Sequence, residues 1–174
     1  MSGHNKWSQI KHRKGEQDAK KSLTFGKMLA AISIAAKDNP NTDQNPRLRT
    51  LIEKSKEYNV PNENIERALK RAHEQKDLKE IVIEAYGPEG SAILIEAITD
   101  NSNRTIQGVR NIINEAGAKV ADPGSVLWAF SQSPDRTWSA KFSQPISLEA
   151  QKKLNELVLA IEEHDDVQRV ITNC

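Results

Sequence analysis

The chain has 174 residues, 37% hydrophobic and 28% charged, with a mean hydropathy of -0.66, which is enough for one domain or two small ones. No apolar run approaches the roughly 18–20 residues of a bilayer span, no apolar signal core opens the chain, and the single cysteine, Cys174, excludes an internal disulfide, a cysteine metal site and a redox pair, so a cytoplasmic protein is expected. The net charge of +1 hides a split: residues 1–75 hold 15 Lys and Arg against 9 Asp and Glu, the remainder 10 against 15, which points to one part that faces a polyanion and one that does not.

In chain order, residues 1–27 are the most basic stretch. Lys6, Lys11, Arg13, Lys14, Lys20, Lys21 and Lys27 surround Trp7, Ile10, His4 and His12. Before Leu23 there is too little apolar surface to fold alone, so an arm is expected, mobile until bound. Its cations suit nucleic-acid phosphates and Trp7 suits stacking or docking; a solubilising tail is the alternative. A helix is predicted over 17–37, with Leu23, Phe25, Met28, Leu29 and Ile32 on its apolar side. Asn45-Pro46 starts a second helix, and Asn62 is expected to cap a third. Three helices make a small bundle. Its Arg47 and Arg49 are further nucleic-acid candidates, and pairing of the bundle's cations with Glu53, Glu57, Glu63 and Glu66 is the alternative. Residues 73–79 read as a linker.

Residues 81–86 and 91–99 are β-branched runs joined by Gly87-Pro88-Glu89-Gly90, a hairpin signature. The second run is apolar on both faces and should be a central strand. Residues 100–103 form a polar loop, and Asn103 is expected to cap a helix carrying Ile106, Val109, Ile112 and Ile113, stopped by Gly117. Strands are predicted at 124–130 and 138–146, a helix capped by Ser147, and a last strand at 167–171. The fold class is therefore α+β: an N-terminal arm and three-helix domain over 1–76, then a ferredoxin-like α/β domain with a mainly antiparallel sheet over 77–174.

The histidines show no metal spacing, and no nucleophile elbow or phosphate loop is present. An enzyme is not expected, nor a cofactor, a metal or a small-molecule substrate. The best polar cluster is a functional loop of Asp100, Asn101, Asn103 and Arg104, with the turn Tyr86, Gly87 and Pro88 beside it; an Asx turn with a helix cap is the alternative. A cation in a helix's first turn opposes the macrodipole, so Arg104 should pair with Asp100 or hold an external anion.

Met1 to Trp7, Ile10 to Lys14, Asn45 to Arg49, Asn64 to Ala68, Tyr86 to Gly90, Thr99 to Thr105, Pro123 to Val126, Asp165 to Gln168 and Thr172-Asn173 together resemble the YebC/PmpR family. The resemblance covers nearly the whole chain. It implies a non-catalytic, nucleic-acid-binding regulator of gene expression. Members are described as DNA-binding transcriptional regulators or as ribosome-associated translation factors linked to stalling, proline-rich sequences. The ribosome and its RNA are the expected partner, with DNA the alternative and no membrane. Two departures stand out. Glu89 occupies a turn position where the family usually has glycine, and only residues 131–137 remain where the family inserts another domain, implying a reduced member.

Overall fold

The computed structural model describes the backbone from Gly3 onward, residues 73, 75 and 76 apart, and the side chains from Gln17 onward. Its first element, α1 (Gly3–Asp38), is a single helix of 36 residues, about 54 Å long at 1.5 Å per residue. The arm expected to be mobile is thus helical in its backbone. Lys, Arg, Gln, Glu and Ala lose little side-chain freedom in a helix, and no proline interrupts this run. Residues 17–22 are exposed, and burial starts where the apolar face starts.

The helical domain closes with α2 (Pro46–Glu57) and α3 (Asn62–Arg71). Its core is Ile32, Ala35, Ala36, Leu48, Val60, Ile65, Ala68 and Ala72, with Phe25, Met28 and Leu29 packed against it. Asn45 joins the first two helices. Its Oδ1 accepts the Leu48 amide at 3.0 Å, while its Nδ2 donates to the carbonyls of Ala35 and Asn39 at 2.8 and 2.6 Å. One side chain thereby satisfies the open N-terminus of α2 and carbonyls at the end of α1. Pro46 follows at the first helical position, where its missing N–H costs nothing. Asn62 is the first residue of α3 rather than its cap; Pro61 precedes it with no side-chain cap.

The second part is a four-stranded antiparallel sheet ordered β3-β1-β2-β6, with β1 (Lys79–Tyr86), β2 (Ala92–Thr99), β3 (Lys119–Val120) and β6 (Val167–Thr172). The β1–β2 register sets Ile83 opposite Ile95 and Ala85 opposite Ile93. These four residues pack against α4 (Ser102–Glu115) and α5 (Leu148–Glu162) through Val109, Ile113, Leu154, Leu157 and Ile161. The alternate residues face the other way, where Ala92 and Leu94 of β2 and Ile171 of β6 lie under Val126, Ala129 and Phe130. β2 is therefore covered on both faces, as its apolar run from Ala92 to Ile95 requires.

Two predicted strands are reduced. Of the strand predicted over 124–130, residues 124–129 form a turn and a 3-10 segment, Leu127–Ala129, and only Phe130 enters the short β4 (Phe130–Gln132). The cause is Glu84, whose carboxylate takes the amides of Gly124, Val126 and Leu127 that a strand ladder would have used. The strand expected over 138–146 shortens to β5 (Trp138–Ala140), which pairs only with β4. The turn between them closes with the Ser133 amide on the Thr137 carbonyl at 2.9 Å, and Arg136 sits at a φ of 65°. That turn carries Arg136 back to Asp38 at the end of α1 and Glu80 on β1, at 3.4 and 3.5 Å. Glu80 also receives Arg47 from α2. Lys27 donates to the Glu162 carbonyl, and Lys37 to the Leu78 carbonyl at 3.2 Å. The helical domain is thus tied by charged side chains to the end of the α/β layer where β1 begins and α5 ends.

Candidate nucleic-acid interface

Of the ten nucleic-acid candidates, Lys6, Trp7, Lys11, His12, Arg13 and Lys14 lie on the helical backbone of α1, with side chains outside the described residues. Lys20 and Lys21 are exposed further along that helix. Lys21 Nζ lies 5.6 Å from the centre of the Phe25 ring, within cation–π range. Arg49 is exposed on α2, whereas Arg47 is half-buried and engaged by Glu80.

Arg49, Lys54, Lys56, Arg67, Lys70 and Arg71 are all exposed. Among the described residues, the ion pairs are made by other groups, and none joins these six to Glu53, Glu57, Glu63 or Glu66. The pairing allowed by helical spacing is not adopted. The helical domain instead presents cations that no carboxylate holds, the arrangement that exchanges bound counterions for phosphates at least cost.

The loop at the end of β2 is closed on itself. Asn101, not Asn103, caps α4: its Oδ1 accepts the Arg104 amide at 3.2 Å. Asn103 is exposed in the first turn. Arg104 Nη2 reaches Asp100 at 3.0 Å and Asp166 at 2.9 Å, so its opposition to the macrodipole is answered by two carboxylates. Beneath it, Thr105 Oγ1 donates to Asp166 at 2.6 Å and lies 2.8 Å from Thr99 Oγ1. The Asp166 carbonyl accepts the Ile98 amide at 2.9 Å. Asp166 joins the end of β2, the start of α4 and the entry to β6. A lone pair of adjacent acids after a helix gave no sign of this, because the partner lies 62 residues away.

Burial pushes the Asp166 carboxyl up, but hydrogen bonds from Thr105 and Arg104, with the charges of Arg104 and His164, outweigh it and hold the group below the usual aspartate range. A depressed folded-state pKa stabilises above the unfolded value of about 4 and is lost as pH falls through the folded value. In Asp166→Asn, stability should therefore fall short of the parent's at neutral pH, with the gap shrinking below about pH 4. Thermal melts of both chains from pH 7 to pH 2.5 check this; a gap that is constant with pH excludes the carboxylate as its source.

The turn residues have structural duties as well. The Gly87 amide donates to the Ser91 carbonyl at 2.8 Å. A Cβ on Gly87 would lie 2.5 Å from Ser91 Oγ and 3.0 Å from Ile93 Cδ1, so any larger residue forces those side chains to shift. Pro88 is half-buried and opens the 3-10 turn. Glu89 has a φ of 54°, a left-handed conformation that glycine adopts more readily. Here the glutamate makes two contacts that glycine lacks, accepting Ser147 Oγ at 2.6 Å and the Ser147 amide at 3.0 Å ahead of α5. Those bonds hold its carboxyl below the usual glutamate range. Tyr86 projects its ring at the end of β1, and its hydroxyl donates to the Ser125 carbonyl at 3.1 Å.

Sequence reasoning missed Glu84. Only 6% exposed, it accepts the Gly124 amide at 2.5 Å, Val126 at 2.7 Å and Leu127 at 3.0 Å. The available signal was an acid inside an apolar strand, since such a charge must be answered by buried donors.

The fold and charge define a class: a two-part α+β protein with a basic helical half and an antiparallel α/β half. The chain belongs to the TACO1/YebC family. Residues 5–75 match the TACO1/YebC protein N-terminal domain and residues 78–134 the TACO1/YebC second and third domain. A "probable transcriptional regulatory protein" of Thermotoga petrophila is 49% identical over 136 residues, covering 76% of this chain and 54% of the relative. One of the same description from Pseudothermotoga lettingae is 50% identical over the same shares. The chain spans about half the length of these curated relatives. The crystal structure of a conserved hypothetical protein from Aquifex aeolicus superposes with a TM-score of 0.82 at 28% identity, covering 90% of each chain. No described helix is long and apolar enough to cross a membrane.

Proposed function

We propose that this chain is a nucleic-acid-binding regulator of gene expression that acts on the ribosome, as a translation factor for sequences that stall. The observation that carries the reading is the set of six exposed cations on α2 and α3 that no carboxylate among the described residues holds. Phosphate contacts of this kind supply affinity with little sequence information, which suits RNA recognised by shape. A second reading, a regulator gripping duplex DNA, is favoured by the description of the Thermotoga relative as a probable transcriptional regulatory protein.

Co-sedimentation with ribosomes at moderate salt, set beside gel shifts on duplex DNA, separates the two. Ribosome binding that survives an excess of duplex DNA is the expected result. Tight duplex binding with ribosomes ignored reverses the order.

A further inference from the structure

Three exposed aromatic residues lie on the sheet face of the α/β half away from α4 and α5: Trp128 and Phe142 stack on each other, and Tyr86 shares a hydrogen-bond acceptor with Trp128. Tyr86 is 37% exposed, Trp128 63% and Phe142 43%. The Trp128 and Phe142 rings stack with centroids 5.5 Å apart and planes 27° apart. Trp128 Nε1 donates to the Ser125 carbonyl at 2.8 Å, the same carbonyl that receives the Tyr86 hydroxyl. Both polar tips are thereby used internally, and the rings are oriented by one backbone oxygen. That oxygen belongs to the segment that Glu84 anchors through three amides, so the platform is held from beneath by a buried charge. Exposed aromatics fixed in place without an apolar cover are costly for a surface with no ligand.

We infer that Tyr86, Trp128 and Phe142 form a stacking platform for unpaired bases of single-stranded RNA. Cations flank it. Lys141 Nζ donates to the Trp128 carbonyl at 3.0 Å, and Lys119 stands directly across the β1–β3 ladder from Tyr86. An extended proline-rich peptide is the other partner that aromatic surfaces take, but it needs indole and phenol donors for its carbonyls. Here Ser125 has consumed both. Stacking needs only ring faces, and every base has one. The inference rests on the nucleic-acid reading above and adds a second contact, on the half of the chain that is otherwise acidic.

The test is binding of the full chain to a fluorescein-labelled single-stranded oligoadenylate, with Trp128→Ala, Trp128→Leu and Trp128→Phe as variants. Circular dichroism and thermal melts check that each variant folds. Loss of one stacked base is expected to weaken binding by about 5- to 150-fold in Trp128→Ala. Trp128→Leu should be weakened alike, because it keeps apolar bulk without a π-face. Trp128→Phe should stay within about threefold of the parent and keeps the test decisive if the alanine variant misfolds. Equal binding by the parent and a folded Trp128→Leu overturns the platform and leaves the nucleic-acid reading standing. A parent chain that binds no RNA overturns the reading beneath it. Binding of an oligoproline peptide that is lost in Trp128→Leu while RNA binding is kept assigns the rings to peptide and also overturns the inference.

Discussion

Glu84→Ala is expected to destabilise the chain by about 3–5 kcal/mol, the range for removing one side of a buried, charged hydrogen-bond set. The carboxylate is 6% exposed and holds three amides of one loop. Its removal strands those donors beneath Val126, Ala129 and Phe130, which cover the sheet. Glu84→Gln should cost less, about 1–3 kcal/mol. Its one amide oxygen can serve Val126 and Leu127, which share Oε2, but its NH2 would then face the Gly124 N–H. Urea titrations of parent and both variants give the values. Costs below about 1 kcal/mol in both would mean that the loop holds itself. The substitutions should also free the Trp128 ring, since its anchor Ser125 lies between Gly124 and Val126. Intrinsic fluorescence should then shift before global unfolding, a reading that a purely local loss of packing at β1 does not produce.

The second large effect is on binding. Replacing Lys11, Arg13 and Lys14 together with Ala should weaken association with RNA about 100- to 1,000-fold at 0.1 M salt. Each lost phosphate contact removes about 0.7–0.9 from the slope of log affinity against log salt, so three remove about 2–3. The loss should be similar across RNA sequences, because phosphate contacts carry none. The helical backbone of α1 through these positions sharpens the prediction: alanine is the best helix former, so circular dichroism should show no loss of helix. A triple variant that binds like the parent at low salt makes this end of α1 a solubilising extension. The six cations on α2 and α3 would then have to carry the affinity alone.

The role of Arg104 is narrower than the loop's polarity implied. Its guanidinium is shared between Asp100 and Asp166, and hydrogen bonding to Asp166 raises its pKa further. The loop is thus organised first around its own ion pairs, and any ligand contact there competes with two carboxylates. Gly87 is similar: the space its Cβ would need is taken by Ser91 and Ile93. Among the sequence-selected positions of the α/β half, Tyr86 offers a ring face, while Arg104 and Gly87 are occupied by the fold.

The elements themselves were determined by sequence. The 3.6-residue apolar period of α1, α2, α4 and α5, the Asn45-Pro46 and Ser147 starts and the β1–β2 hairpin are local signals, carried by residues a few positions apart. The doubly apolar run of β2 even disclosed that layers cover both of its faces. What only the tertiary structure decided lies at long separation. Glu84 is 42 residues from Val126, Arg104 is 62 from Asp166, and Glu89 is 58 from Ser147. No local pattern encodes such pairs, because each is set by which strands become neighbours. They in turn override local propensity: residues 124–130 have strand composition, yet three amides bound to one buried carboxylate are no longer free to pair with a strand. The same carboxylate orients Trp128. The sequence thus located the basic helical half by composition, while the aromatic platform exists only because the fold brings residues 86, 128 and 142 to one carbonyl and one stack.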